Sequence, residues 1–463
     1  MVPRGRLVLV CALLALAAGA VSALGSPAHR PAPCRFITAP RARAAFCDTF
    51  SRPLGTPGTR SGQLDGIVWG VSRATSLNDP ARSLLYDWAA VRRDTCGRFE
   101  IVRPENDVAV CHGQAVEAVN DNGGVADLAM YPRQPFDFAG RTGTVEFDVS
   151  DNTQGPHAAW PAFLITDQPV PAPYEQSAGV DDHARNSVGF TLAGLCGQHG
   201  CGTNLPPGAG SPGFHCITVD TLFVTRDYRQ HDVAIKQDGC VLPSQHLGSD
   251  NHVEVRINSG GMRVYASDPG QPGSTRLIAH ASFRVPLTRG LIWIEDVHFN
   301  GDAINQQQTD TFSWDNVAFD GPVLPRDLGF DVLDNTAPGP RAVNGLSTVN
   351  IGYLVPAHRT LELTIPRVRD LDRAAAALLE LTYWPEHPQA ISYSLNGHAT
   401  HRFAWPFARQ AAAASETVAM PVALTDLRDG ANVLRLRTSD PAGVAIANID
   451  LILHGAGGVH PPG

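Results

Sequence analysis

The chain has a single lysine, Lys236, and nowhere gathers its arginines into a basic cluster. With a formal net charge of -9, it offers no electrostatic footprint for a polyanionic duplex, so no nucleic acid is expected as partner. Beyond residue 23 no apolar run approaches the roughly 18 residues of a spanning helix, so no membrane span is expected and the mature chain should be soluble. Stretches with helical apolar spacing are few, while 44 glycines and 36 prolines punctuate the chain. That balance points to an all-β protein rich in turns. Cysteine disappears after Cys240, and no internal repeat is visible.

The N-terminus has a clear build. Arg4 and Arg6 precede an apolar run from Leu7 to about Val21, and small residues through Ala23 offer a cleavage site. Residues 1–23 therefore read as a secretory signal peptide, and the protein is expected to be secreted into an extracellular, oxidising compartment. Its removal leaves eight cysteines: Cys34, Cys47, Cys96, Cys111, Cys196, Cys201, Cys216 and Cys240. An even number in an exported chain reads as disulfides. Local pairs 34–47, 96–111, 196–201 and 216–240 are expected, although eight cysteines allow 105 connectivities. Zinc at Cys196, His199 and Cys201 is the weaker reading, because the spacing is not C-x-x-C and the compartment favours a bridge.

After an N-terminal extension (residues 24–44), segments such as TGTVEFDVS (142–150), SVGFTLAG (187–194), NHVEVRIN (251–258) and LIWIEDVHF (291–299) alternate apolar and polar residues. Glycine, proline, asparagine and aspartate turns separate them, with no helical pattern between. This is the signature of a sandwich or jelly roll. The texture changes at GPVLPRDLGFDVLDN (321–335). A linker is expected over residues 323–335, a smaller β-sandwich over 336–456 and a loose tail over 457–463. AAAALLEL (374–381) has helical propensity, but flanking prolines and the following TYW favour a strand.

Three stretches carry a resemblance. FCDTFSRPL (46–54) is similar to the opening strand of the concanavalin A-like lectin/glucanase superfamily, especially its laminarinase-type family 16 glycoside hydrolases. TGTVEFDVSDNTQGPHAAWPAFLI (142–165) resembles their glycine-led strand followed by a W-P-A-F strand, and TFSWDNVAFDGP (311–322) their closing strand. The resemblance implies a concanavalin A-like jelly roll over residues 45–322, with a concave face that holds glycan. In those hydrolases the strand after W-P-A-F carries glutamate, aspartate and glutamate at alternating positions, the nucleophile first and the general acid last. Here that strand, SVGFTL, has no carboxylate, and Glu175, Asp181 and Asp182 lie in the preceding loop without the alternation. The family's catalytic acids are missing. In the second domain, ISYSLNGHATHRF and a late IDLIL strand loosely resemble galactose-binding-like sandwiches, many of them carbohydrate-binding modules. Trp384 and Trp405 there could form a sugar platform or serve as core.

Other residues keep chemistry open. Glu146 and Asp148 share one face of their strand, with Cα atoms about 6.5–7 Å apart, and the resemblance makes that face the concave one. The pair suits glycosidase carboxyls about 5–9.5 Å apart, hydrogen bonding to sugar, or plain solvation of a half-buried strand. In WIEDVHFNGD (293–302), Trp293 and Glu295 share one face and Asp296 and His298 the other. The first pair suits sugar stacking and recognition; the second suits acid–base work or a metal, with a structural role for His298 the commoner outcome. Trp160, Asp167, Tyr174 and Asn300 are placed at or around the cleft. The resemblance also implies a structural calcium on the convex side, for which only Asp48 and Asp315 are found where six to eight oxygens are needed. GAGSPG (208–213) lacks both the strand and the helix a phosphate-binding loop requires and is set aside.

The expectation is thus a secreted, lectin-like protein that recognises extracellular or cell-wall polysaccharide through the concave face, using Glu146, Asp148, Trp160, Trp293 and Glu295. Two readings compete. One is a glycan-cleaving hydrolase or lyase with an acid pair drawn from Glu146, Asp148, Glu295 and Asp296. The other is a structural or adhesive envelope protein whose cleft holds nothing.

Overall fold

A computed structural model describes residues 34, 36, 42–53, 63–65, 68–75, 107–119, 125–152, 159–167, 186–197, 200–201, 217–226, 229–239, 250–269, 273–299, 310–325, 330–331, 341–343, 346–348, 352–384, 391–403, 416–441 and 443–455. The expected signal peptide, Cys96, Cys216, Cys240, Tyr174, Asn300 and Trp405 lie outside them.

The alternating segments form strands where the periodicity places them. The first are β1 (Ala44–Asp48), β2 (Trp69–Thr75), β3 (Asp107–Cys111), β4 (Gln114–Val119), β5 (Val125–Pro132), β6 (Phe136–Asp137) and β7 (Gly143–Asp151). Next come β8 (Ala159–Thr166), β9 (Asn186–Ala193), β10 (Cys196–Gly197), β11 (Gly200–Cys201), β12 (Thr218–Arg226), β13 (Arg229–Asp232) and β14 (Lys236–Gln237). Long strands then close the first sandwich: β15 (Asn251–Asn258), β16 (Gly261–Ser267), β17 (Arg276–Ser282), β18 (Arg289–Phe299) and β19 (Asp310–Asp320).

Two large sheets result. One has the order β14-β17-β16-β15-β7-β19-β4-β3, with β1 also paired to β19; the other runs β13-β12-β9-β8-β18-β5-β2, with β6 also paired to β18. We refer to them by their central strands as the β7 sheet and the β8 sheet. The inward positions of both merge into one apolar core. Val145, Phe147 and Val149 of β7 and Val253, Val255 and Ile257 of β15 meet Phe163 and Ile165 of β8, Val188 and Phe190 of β9, and Ile292 and Ile294 of β18. Phe147 stacks on Phe163 across the two layers, with ring centroids 5.8 Å apart. This is a jelly-roll β-sandwich held by burial of two facing apolar surfaces.

One corner is tied covalently. Cys34 and Cys47 form the expected disulfide, and Phe46 beside it stacks on Phe319 of β19 at 5.1 Å and meets Trp69 edge-on at 5.5 Å. Cys196 and Cys201 stand directly opposite each other in the β10–β11 ribbon, as the expected local pair requires of the backbone.

The smaller second sandwich comprises β20 (Phe330–Asp331), β21 (Arg341–Val343), β22 (Leu346–Thr348), β23 (Gly352–Val355), β24 (Leu361–Val368), β25 (Ala374–Trp384), β26 (Ile391–Leu395), β27 (His401–Phe403), β28 (Glu416–Val422), β29 (Gly430–Thr438) and β30 (Val444–Gly455). One sheet has the order β20-β30-β25-β28, with β23 on β30, and the other β24-β29-β26-β27. They enclose a core of their own that includes Ile365, Leu379, Tyr393, Leu434, Leu436 and Leu451. AAAALLEL is strand, because its alternate residues Ala377 and Leu379 feed that core. Phe330 pairs with Leu451, so the chain joins this sandwich inside the stretch expected to be a linker.

Candidate functional site

The structure divides the candidate residues between two surfaces. β7 and β8 are consecutive in sequence but lie in different sheets. Glu146 and Asp148 therefore stand on the outer face of the β7 sheet, whereas Trp160, Trp293 and Glu295 stand on the outer face of the β8 sheet, with the whole core between them. The expectation that all five line one concave face is corrected. Period-two alternation identifies which side of a strand faces the core, but not which layer the strand belongs to. Glu295 and Asp296, the alternative acid pair, point to opposite sides: Asp296 follows the inward parity of Ile292 and Ile294, and Glu295 the outward parity of Trp293. The side chain of His298 lies outside the described residues.

On the β8-sheet face, an aromatic row crosses the strands. Tyr131 stacks on Trp293 with centroids 4.1 Å apart, and the Arg133 guanidinium lies 5.8 Å from the Tyr131 ring centre. Tyr131 needs glycine beside it, because a Cβ on Gly70 would come within 2.1 Å of its ring. Further along, a Cβ on Gly189 would meet Phe223 at 2.5 Å. Glu295 lies one row away, with Ala162 and Ala129 directly opposite it on the two flanking strands and Thr191 beyond Ala162. On the other side of the aromatic row, Thr166, Ser187 and Thr225 align across three strands as a band of hydroxyls. Trp293, Glu295, Ser187 and Thr225 are fully buried, while Trp160 is half-buried. Three polar atoms of this face, Trp293 Nε1, Ser187 Oγ and Thr225 Oγ1, find no hydrogen-bond partner among the described residues.

β9 is the strand that follows W-P-A-F. Its outward positions are Ser187, Gly189, Thr191 and Ala193, so no carboxylate rises from it toward the face. Asp167, just past β8, accepts from the Asn186 amide at 3.2 Å and from Asn186 Nδ2 at 2.7 Å. It thereby closes the β8–β9 connection, the turn-stabilising role open to such a residue. Trp384 lies at the end of β25, and its side chain is outside the described residues.

The β7-sheet face holds a different network. His252 of β15 donates or accepts through Nδ1 with Asp148 Oδ1 at 2.6 Å, and its Nε2 lies 3.6 Å from Glu146 Oε2. Asn316 donates to the other Asp148 oxygen. Asp250 accepts from Ser150 and from Gln114 Nε2, the latter at 2.9 Å. A β-bulge after Asp315, with Asn316 at φ +51°, turns this stretch of β19 outward. His252, Asp250 and Asn316 escaped the sequence reading, although NHVEVRIN does place His252 on one face with Glu254. What was missing was the register that sets His252 opposite Asp148 and Glu254 opposite Glu146.

Burial above all, with repulsion from Asp148, Asp250 and Asp48 and against one amide bond from Asn316, pushes the Asp315 carboxyl up to about 8. Burial would lower His252, but its bond to Asp148 and the nearby negative charges raise it. The donors do not fit a calcium ion at Asp48 and Asp315. Both Asp48 oxygens accept from N–H groups, Phe50 N at 2.8 Å and Trp69 Nε1 at 2.7 Å. Among the described residues, no three His, Cys, Asp or Glu side chains are arranged to hold a metal. The calcium implied by the resemblance is not assigned.

A pH dependence follows. Between the usual carboxyl value of 3.8 and about 8, the folded chain keeps a proton on Asp315 that the unfolded chain releases, so stability falls as pH rises through that window. His252 acts in the same direction: its contribution is complete below the unfolded value of 6.5 and is lost as pH rises through its higher folded value. The melting temperature of the first sandwich should therefore drop between about pH 5 and about pH 9, and Asp315→Asn should flatten that drop. A melting temperature that climbs over this range would contradict the network.

No protein-family model matches this sequence, and no curated protein does. Among solved structures, a β-glucanase from Bacillus licheniformis aligns over 60% of this chain and 98% of its own, at 9% identity and a TM-score of 0.32. Lectin II from Ulex europaeus aligns over 47% and 90%, at 14% identity and 0.27. The lumenal domain of VIP36, bound to Ca2+ and Man3GlcNAc, aligns over 48% and 84%, at 11% identity and 0.30. TM-scores this low add nothing to the sheet order above. Among the described residues, no helix is long and apolar enough to cross a membrane.

Proposed function

We propose that the protein is a secreted glycan-binding protein whose site is the outer face of the β8 sheet. The observation that carries this reading is the set of buried polar atoms there with no hydrogen-bond partner among the described residues: Trp293 Nε1, Ser187 Oγ and Thr225 Oγ1. Leaving one buried donor or acceptor unpaired costs about 1–3 kcal/mol, so three on one face are positions that a ligand reaching them would satisfy. A polyhydroxylated ligand supplies such partners in both donor and acceptor form. The Glu295 carboxylate between two alanines adds a strong acceptor for sugar hydroxyls. The empty catalytic positions of β9 support binding without hydrolysis by the family's acids, and the signal-peptide pattern of residues 1–23 supports secretion.

Thr225→Val tests the reading by separating ligand affinity from stability. The isosteric change removes a hydroxyl with no described partner. It should leave the melting temperature unchanged or higher while weakening binding to whichever polysaccharide the wild type retains. A variant that loses stability and keeps full affinity would show the hydroxyl to be structural and would count against this site.

A further inference from the structure

We infer that the second sandwich carries a separate binding site for an acidic polysaccharide, on the outer face of its four-stranded sheet. β26 buries Ile391, Tyr393 and Leu395 in the second core and turns Ser392 and Ser394 outward. β29 does the same with Leu434 and Leu436 inward and Arg435 and Arg437 outward. Strand register then aligns Arg437, Ser392 and Arg402 in one row across three strands, with Arg435 beside Ser394 in the next. Strands lie about 4.8 Å apart, so the backbones bearing Arg437 and Arg402 stand roughly 10 Å apart. The two serines leave a shallow polar trough between them.

The cations are held ready. Arg437 Nε donates to Thr360 Oγ1 at 2.6 Å, and Arg435 Nε to Glu362 Oε2 at 2.9 Å. Arg402 and Arg437 have no carboxylate partner among the described residues, and both are exposed. Among the described residues this face thus sets the guanidinium groups of Arg402, Arg435 and Arg437 against the one carboxylate of Glu362, in a chain of net charge -9. A guanidinium fork matches a carboxylate with two parallel hydrogen bonds, and the serine hydroxyls between the arginines suit the hydroxyls of the same chain. Among the described residues the face presents no aromatic ring on which a base could stack and no exposed apolar side chain to enter a membrane. An extended uronate chain fits better than a nucleic acid or a lipid surface.

The test titrates the full chain with a homogalacturonan oligomer at low and high salt, beside a neutral galactan and duplex DNA. The wild type should bind the homogalacturonan, more weakly as salt rises. Arg402→Ser/Arg437→Ser should weaken that binding roughly tenfold or more, with the melting temperature unchanged because both side chains are exposed. Glu295→Gln, on the first sandwich, should leave it intact, which separates this site from the one proposed above. The inference is overturned if the wild type does not bind homogalacturonan, if the double variant binds it as well as the wild type, or if duplex DNA binds equally tightly and depends equally on the two arginines.

Discussion

Replacing Phe163 with alanine should lower the melting temperature of the first sandwich by roughly 10 °C, taking a loss of about 3–5 kcal/mol at about 2–4 °C each. Phe163 is almost wholly buried. It stacks on Phe147 of the opposite sheet at 5.8 Å and meets Phe190 of the neighbouring strand at a tilt, with centroids 5.3 Å apart. Removing it opens a cavity at the seam where the layers meet, and it also deletes two aromatic contacts worth about 0.5–1.5 kcal/mol each. Phe163→Leu, which keeps most of the volume, should recover much of the loss. Calorimetry reads both. A Phe163→Ala chain that melts within a degree or two of wild type would mean that β7 and β8 do not face one another across this core.

The second large effect concerns Glu295. Hydrogen bonds to a charged group contribute about 1.5–3 kcal/mol, so Glu295→Gln should weaken glycan binding by roughly 10- to 100-fold. Calorimetry on the same variant separates a loss of affinity from a loss of stability. Glu254 provides the control. It is equally buried but stands on the β7-sheet face, where Arg256 Nε donates to it at 2.9 Å, so Glu254→Gln should leave binding unchanged. Equal losses from the two variants would point to a general effect of buried carboxylates on the fold and away from a site at Glu295.

Much of the architecture was legible in the alternation of single strands. VEFDVS showed that Val145, Phe147 and Val149 face inward, and LIWIEDVHF showed that Trp293 and Glu295 part company with Asp296. Cys34 and Cys47 paired as their proximity suggested. The layer of each strand was not legible, because strands adjacent in sequence need not pair: β7 meets β15 and β19, whereas β8 meets β9 and β18. That single non-local fact separates Glu146 and Asp148 from Trp160, Trp293 and Glu295. The same limit hid His252, which meets Asp148 only through pairing with a strand a hundred residues away, and the arginine face. Arg402 and Arg437 become neighbours of Ser392 only once β27, β26 and β29 pair. Contacts of this kind are paid for in loop-closure entropy and repaid by long-range burial, so no local window contains them.

The separation also bears on cleavage. Two carboxyls acting on one glycosidic bond must face the same groove. Of the four acids considered, Glu146 and Asp148 share a face, but that face is not the one bearing Trp160, Trp293 and Glu295, and Asp148 is held by His252 and Asn316. Glu295 and Asp296 point opposite ways.

The most direct measurement is native electrophoresis of the chain through gels that each contain one polymer, with β-glucans, xylans, galactans and arabinans in the set and a reducing-end assay on the same mixtures. At least one neutral polymer should retard the wild type and Glu254→Gln but not Glu295→Gln, with no new reducing ends. Retardation that survives Glu295→Gln and disappears with Glu254→Gln would contradict the account and move the site to the β7-sheet face. New reducing ends that vanish in Glu146→Gln/Asp148→Asn would contradict it more deeply, by making the protein an enzyme.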